Sequence, residues 1–246
     1  MSDHQMPLTG HLAELRRRLL VSALALVVGV VLSFAFRTRI FDVLTHAGGD
    51  PDLFFYTLTG AIGPTMKVAL LGGFIVALPV GIHQLMGFLA PALSRKERRY
   101  LTLMIPSVAI CFMAGVAFAY FILVPPIVDF LLDFGTDVAM PRPSLESYIN
   151  TIVALLFWMG VAFETPFVMY FVTLIGVGKP AFFARHRRTW VVISFVLGAM
   201  ITPTFDPINQ TMVAAPFIVL YELGIWLSRL AARKPRQQEV MEEPDG

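Results

Sequence analysis

The chain has 246 residues, of which 57% are apolar and 15% charged. A soluble domain carries about 25% charged residues, and no water-soluble fold of this size hides so much apolar surface, so lipid must be its solvent and the chain reads as all-α and polytopic. The formal net charge of +2 excludes little by itself; its distribution along the chain says far more.

A spanning helix needs roughly 20 apolar residues. The first candidate runs from Leu19 to Phe36 and follows a polar stretch that ends in His11-Leu12-Ala13-Glu14-Leu15-Arg16-Arg17-Arg18. Phe34, Phe36 and Arg37 stand where a signal peptide would carry small residues for cleavage, so this segment is expected to remain as the first membrane helix. The loop from Arg37 to Thr65 holds Phe41, Leu44, Leu53, Phe54 and Phe55 and is too apolar to be a free linker, so it is expected to pack on the helices. The second span reads from Met66 to Leu89, and Ser94-Arg95-Lys96-Glu97 is a capping box ahead of the third, Leu101 to Val124.

Pro125-Pro126 is expected to stop the third helix, and Ile127, Val128, Phe130, Leu131 and Phe134 set against Asp129 and Asp133 suit a short amphipathic helix at the interface. Ser144 can cap the fourth span, Tyr148 to Val177. The fifth, Thr189 to Ile201, covers about 20 Å at ~1.5 Å per residue, against a hydrocarbon core of ~30 Å. The sixth, Ile208 to Leu227, starts with Asn209 and Gln210 and contains Pro216, so its apolar part also reads as short. Short neighbours would thin the bilayer or admit water. Residues 1–230 therefore read as a single six-helix membrane domain and 231–246 as a disordered tail.

Six spans put the N-terminus, the loops at 90–100 and 178–188 and the tail on one side. That side holds Arg16, Arg17, Arg18, Arg95, Lys96, Arg98, Arg99, Lys179, Arg185, Arg187, Arg188, Arg229, Arg233, Lys234 and Arg236. The other holds only Arg37, Arg39, Lys67 and Arg142, together with Asp42, Asp50, Asp52, Asp129, Asp133, Asp137, Glu146 and Asp206. Such an excess of cations on one side predicts cytoplasmic termini.

Among residues that could carry chemistry, Glu164 stands out. It lies near the middle of the fourth span, where a carboxylate costs on the order of 3 kcal/mol, and Pro166 beside it frees the carbonyl of Ala162. The pair makes a polar notch, expected to face a partly wet groove near the fifth and sixth helices with Gln210 as one donor; a hydrogen bond between packed helices is the plainer reading. Glu14 and Glu97 sit among arginines, and each has a plain structural alternative, an i,i+4 pair with Arg18 and the capping box respectively. Asp206 can cap the sixth helix, Gln210 lies one turn further in, and Glu222 has arginines nearby to pair with. The lone Cys111 forms no intrachain disulfide, and the five histidines show no ligand spacing, so no metal site is predicted. Protease, esterase and Walker motifs are absent, as is any cofactor box, which predicts neither an enzyme nor a motor.

Several segments in register resemble the TatC family of twin-arginine translocase proteins. They are His11 to Arg18; Phe88-Leu89-Ala90-Pro91-Ala92-Leu93-Ser94-Arg95-Lys96-Glu97; Gly115-Val116-Ala117-Phe118-Ala119-Tyr120-Phe121; Gly160-Val161-Ala162-Phe163-Glu164-Thr165-Pro166; and Thr202-Pro203-Thr204-Phe205-Asp206-Pro207-Ile208-Asn209-Gln210. The resemblance covers about residues 10 to 230. It implies a receptor in the cytoplasmic membrane for signal peptides with two consecutive arginines, helping to export folded proteins on the protonmotive force. The implied partners are those peptides, TatA- and TatB-type single-helix proteins, further copies of the chain and membrane lipid, with no nucleic acid and no cofactor. It also implies that Glu14 and Glu97 bind the signal, with Arg16 and Phe88 in the same surface, and that Glu164, Asp206 and Gln210 form the intramembrane and outer polar positions. Carboxylates are the matched acceptors for two guanidinium forks. Thr57 to Pro64 departs from the family, which usually has a Pro-Thr-Glu-like turn before the second helix; contacts made through that turn are in doubt. A proton-coupled transporter of a small solute is the rival reading, but its usual repeats and broken helix pairs are not visible. A scaffold protein without a ligand is the other.

Overall fold

The computed structural model describes the backbone of residues 8–89, 95–138, 140–202 and 206–241, and the side chains of 12–88, 106–138, 140–202 and 206–232. The described chain is helical: α1 (Leu8–Ala35), α2 (Arg37–His46), α3 (Ile62–Leu89), α4 (Arg95–Phe118), a π turn (Ala119–Leu123) leading into α5 (Val124–Asp133), α6 (Leu145–Leu174), α7 (Pro180–Arg185), α8 (Arg187–Ile201) and α9 (Pro207–Met241). Among the described residues, five stretches are long and apolar enough to cross a membrane: Leu12–Ala35, Ile62–Phe88, Pro106–Asp133, Leu145–Leu174 and Pro207–Ala232. The protein is thus an all-α polytopic membrane protein.

Two expectations need correction. The third predicted helix does not stop at Pro125-Pro126 but continues through the π turn to Asp133. Each proline ring would clash with the carbonyl four residues back; the wider turn, in which the Val124 amide donates to the Ala119 carbonyl, displaces those carbonyls. The short amphipathic helix expected there is present as α5, with Val124, Ile127 and Val128 buried and Asp129 and Asp133 exposed. The sixth predicted helix is not short: its 26-residue apolar stretch gives roughly 39 Å at ~1.5 Å per residue. Asn209 and Gln210 sit inside its first turn, and Pro216 costs only one backbone bond. The same helix is described as far as Met241, and Ala, Arg, Gln and Glu beyond residue 230 are good helix formers. The fifth, α8, is short as expected, with 15 residues.

The chain divides into two compact units, Met1–Val43 with Ala61–Ile110, and Leu44–Gly60 with Cys111–Gly246. In the first, α1 and α3 run antiparallel, and glycines set their separation. A Cβ on Gly29 would stand 2.6 Å from the Gly73 carbonyl oxygen, and one on Gly73 would stand 2.6 Å from the Val30 amide nitrogen. Those contacts are with backbone and cannot swing aside. Gly29→Ala and Gly73→Ala are each expected to cost about 1–3 kcal/mol, seen as a lower thermal midpoint in detergent. Gly81→Ala, where a Cβ meets open space, should be neutral or slightly stabilising; equal midpoints for all three would contradict the close approach.

In the second unit α6 packs on α9, and α8 packs on α9. Trp190 stacks on Tyr221 at 4.7 Å between ring centroids, its indole N–H donates to the Phe217 carbonyl, and the Tyr221 hydroxyl donates to the Phe183 carbonyl. Ser144 caps α6 by accepting from the Ser147 amide, as predicted. The first long loop is fastened where the Tyr148 hydroxyl donates to the carbonyls of Leu44 and Thr45, and where the Phe54 amide donates to the Pro143 carbonyl and the Leu145 amide to the Phe54 carbonyl across a short parallel bridge. Leu44 is buried as expected, whereas Phe54 and Phe55 are exposed.

Candidate functional site

Glu14, Arg16 and Phe88 belong to one end of the α1–α3 pair. Arg18 builds that end. Its Nε and Nη2 donate to Glu14 Oε1 at 3.0 and 2.6 Å, and its Nη1 donates to the Gln84 carbonyl at 3.2 Å. The guanidinium passes over Gly87, where any Cβ would collide with it. The i,i+4 pair foreseen for Glu14 therefore exists, and it also clamps α1 to the end of α3, one residue from Phe88. Only one of the Glu14 oxygens is engaged; Oε2 accepts no bond among the described residues, and the side chain is about a quarter exposed. Phe88 is half-buried and Arg16 is exposed. The backbone of Glu97 lies in the first turn of α4, while its side chain, and the capping box with Ser94, lie outside the described residues.

Glu164 lies on α6 within the second unit, two residues before the buried Pro166. Both of its carboxyl oxygens are shut off from solvent, and neither has a hydrogen-bond partner among the described residues. The Phe112 amide is close without reaching hydrogen-bond geometry. Helices α4 and α6 approach closely nearby: a Cβ on Gly115 would meet the Met159 carbonyl oxygen at 2.5 Å, and the Phe163 ring lies 5.4 Å from that of Phe118. A buried polar group left unpaired costs about 1–3 kcal/mol, and more if charged. Among the described residues, none supplies a donor to this carboxyl.

Asp206 and Gln210 come together, but not with Glu164. Asp206 caps α9, its Oδ1 accepting from the Asn209 amide at 2.7 Å and its Oδ2 from the Asn209 side-chain amide at 3.0 Å. Gln210 donates its amide to the Phe195 carbonyl at 2.8 Å, which ties α9 to α8 across Gly198. Its amide is therefore engaged at Phe195 rather than at Glu164, whose carboxyl oxygens are closed off from solvent instead of opening onto the expected groove. A groove of about 540 Å³ does open beside Gln210, walled by Val191, Phe195, Val196 and Met200 of α8. Glu222 pairs with Arg187 at 2.8 Å in a half-exposed bridge, the plain role foreseen for it. Sequence reasoning missed Asn209, which is fully buried with its carbonyl oxygen unpaired among the described residues. Its place three residues after the capping aspartate was the available signal.

Comparison with known proteins is consistent along the chain. Residues 10–216 match the family model described as Sec-independent protein translocase protein (TatC). The TatC protein of Aquifex aeolicus is 38% identical over 239 residues, covering 94% of this chain and 98% of that one. That of Carboxydothermus hydrogenoformans is 31% identical, covering 96% and 98%. A crystal structure of the twin-arginine translocase receptor TatC superposes with a TM-score of 0.80 at 36% identity, over 90% of this chain and 99% of that one.

Proposed function

The chain belongs to the TatC family of Sec-independent protein translocase proteins, and from that membership we infer that it is the membrane receptor of twin-arginine protein export. It is a multi-pass protein of the cytoplasmic membrane and not an enzyme. The observation that carries the reading is the family match over residues 10–216, a range that includes Glu14, Glu97, Glu164, Asp206 and Gln210.

In this reading a twin-arginine segment docks at the α1–α3 end. Glu14 offers Oε2 to one guanidinium while Arg18 holds Oε1; Glu97, on the first turn of α4, takes the other, and Arg16 and Phe88 complete the surface. A planar guanidinium fork suits a carboxylate better than a lysine ammonium does. Inside the membrane, Glu164 pairs with a polar group from a TatA- or TatB-type single-helix protein or from the inserted signal hairpin. Its lack of a partner among the described residues supports that role. Asp206 and Gln210 hold the α8–α9 junction beside the groove. The protonmotive force drives translocation, and the receptor works alongside further copies of itself in lipid.

Topology is part of the proposal. With α8 counted as a sixth, short span, both ends of the chain are cytoplasmic, residues 1–230 act as one membrane domain and the segment from residue 231 is a cytoplasmic tail. Single cysteines at positions 50 and 185 should then be labelled from opposite sides of intact membranes. The reading as a whole is tested by expressing the chain, with its cognate single-helix partners, in a bacterium that lacks its own TatC. Export of a folded reporter behind a twin-arginine signal should return. Labelling of both cysteines from one side sinks the topology, and no export beside well-expressed protein sinks the receptor role.

A further inference from the structure

The consecutive arginines of α1 have separate fates. Arg18 is fully engaged by Glu14 and Gln84. Arg16 and Arg17 are exposed, and neither has an ion-pair or hydrogen-bond partner among the described residues. With Ala13, Leu20, Val21 and Leu24 they line a groove of about 470 Å³. These positions recur at helical spacing and form a stripe on the side of α1 opposite Arg18, Gly29 and Ser33, which meet α3. The apolar stripe continues along the span through the exposed Val27 and Val31.

An occupant must fit two guanidiniums at one end and a long apolar track at the other. A twin-arginine segment is repelled by the cations, and a free phosphate or nucleotide makes no use of the track. An amphiphile with an anionic head satisfies both, and the long arginine stems can lie along the helix with their heads at the polar boundary. We propose that this stripe is a binding site for an anionic glycerophospholipid, its phosphate held by Arg16 and Arg17 and an acyl chain lying along Leu20, Leu24 and Val27. Arg16 also belongs to the proposed signal-binding surface, whereas Arg17 does not, so Arg17 is the residue to test.

The full chain, purified in neutral detergent, is titrated with phosphatidylglycerol or phosphatidylcholine, and the first bound lipid is followed by native mass spectrometry. Phosphatidylglycerol should bind at least ten-fold more tightly. Arg17→Gln should weaken it roughly five-fold and Arg16→Gln with Arg17→Gln by more than ten-fold, at about one basic residue's attraction each. Arg188→Gln, an exposed cation elsewhere, should change nothing. Equal affinity for the two lipids, an unaffected Arg17→Gln protein, or equal losses from Arg17→Gln and Arg188→Gln each overturn the site. So does a photocrosslinker at Val21 that captures only a partner helix in native membranes. Twin-arginine peptide binding, measured on the same Arg17→Gln protein, should be unchanged; its absence from the unsubstituted chain would refute the receptor role and leave the lipid result standing.

Discussion

Glu164→Leu is expected to abolish export, and at the same time to make the isolated chain more stable. The two effects share one cause. In the chain alone both carboxyl oxygens are buried and unpaired among the described residues, so replacing them with apolar atoms removes a desolvation cost of about 1–3 kcal/mol. On the proposed role, the carboxyl meets a donor from another helix in the working complex, and its loss leaves that donor unpaired in a low-dielectric setting. Export of a folded reporter should fall more than ten-fold and crosslinking to the single-helix partners should be lost, while the thermal midpoint in detergent rises. Glu164→Gln keeps hydrogen-bonding capacity and should retain part of the export. Full export by the leucine variant rules out the role; a fallen midpoint would mean that the carboxyl already has a partner within the chain.

Signal recognition should be the second large effect. Glu14→Ala removes an acceptor for a peptide guanidinium and also releases Arg18 from its clamp. Loss of a charge-assisted pair of this kind costs about 1.5–3 kcal/mol, one to two orders of magnitude in affinity for a twin-arginine peptide. Arg18→Gln separates the contributions, because it breaks the clamp and leaves the Glu14 carboxylate available; it should spare peptide binding while lowering the thermal midpoint. Glu97→Gln keeps much of the geometry of a capping box and loses the charge, so it should bind as poorly as Glu97→Ala. Normal binding by Glu97→Gln would assign that residue to helix capping alone.

Much of this architecture is readable from residue patterns, for physical reasons. Apolar runs must be helical in lipid because every backbone group has to be satisfied within the segment, so Leu12–Ala35, Ile62–Phe88 and Leu145–Leu174 announce themselves. Local capping is readable for the same kind of reason: Ser144 and Asp206 act within three residues of their own position. What escapes is set by long-range packing. Pro125-Pro126 reads as a stop because nothing local reveals a π turn that makes room for both rings. Gln210 reads as a donor for Glu164, yet its amide finds the Phe195 carbonyl, 15 positions away in sequence, because Gly198 lets α9 come close. Arg18 reads only as the i,i+4 partner of Glu14 until Gly87 brings α3 against it and its Nη1 reaches the Gln84 carbonyl. The polar start of α9 reads as a shortened span, but Asp206 accepts from both the backbone and side-chain nitrogens of Asn209 and the helix keeps its full length.

The most direct measurement of the central claim is the binding of a twin-arginine signal peptide to the purified chain, against the same peptide with both arginines changed to lysine. Photocrosslinking in detergent should map the twin-arginine peptide to the end of α1 and α3 around Glu14 and Phe88. The twin-lysine peptide should bind at least ten-fold more weakly, since an ammonium cannot engage a carboxylate through two parallel bonds. Equal binding of the two peptides, or crosslinks confined to the opposite end of these helices, would contradict a receptor built on that surface.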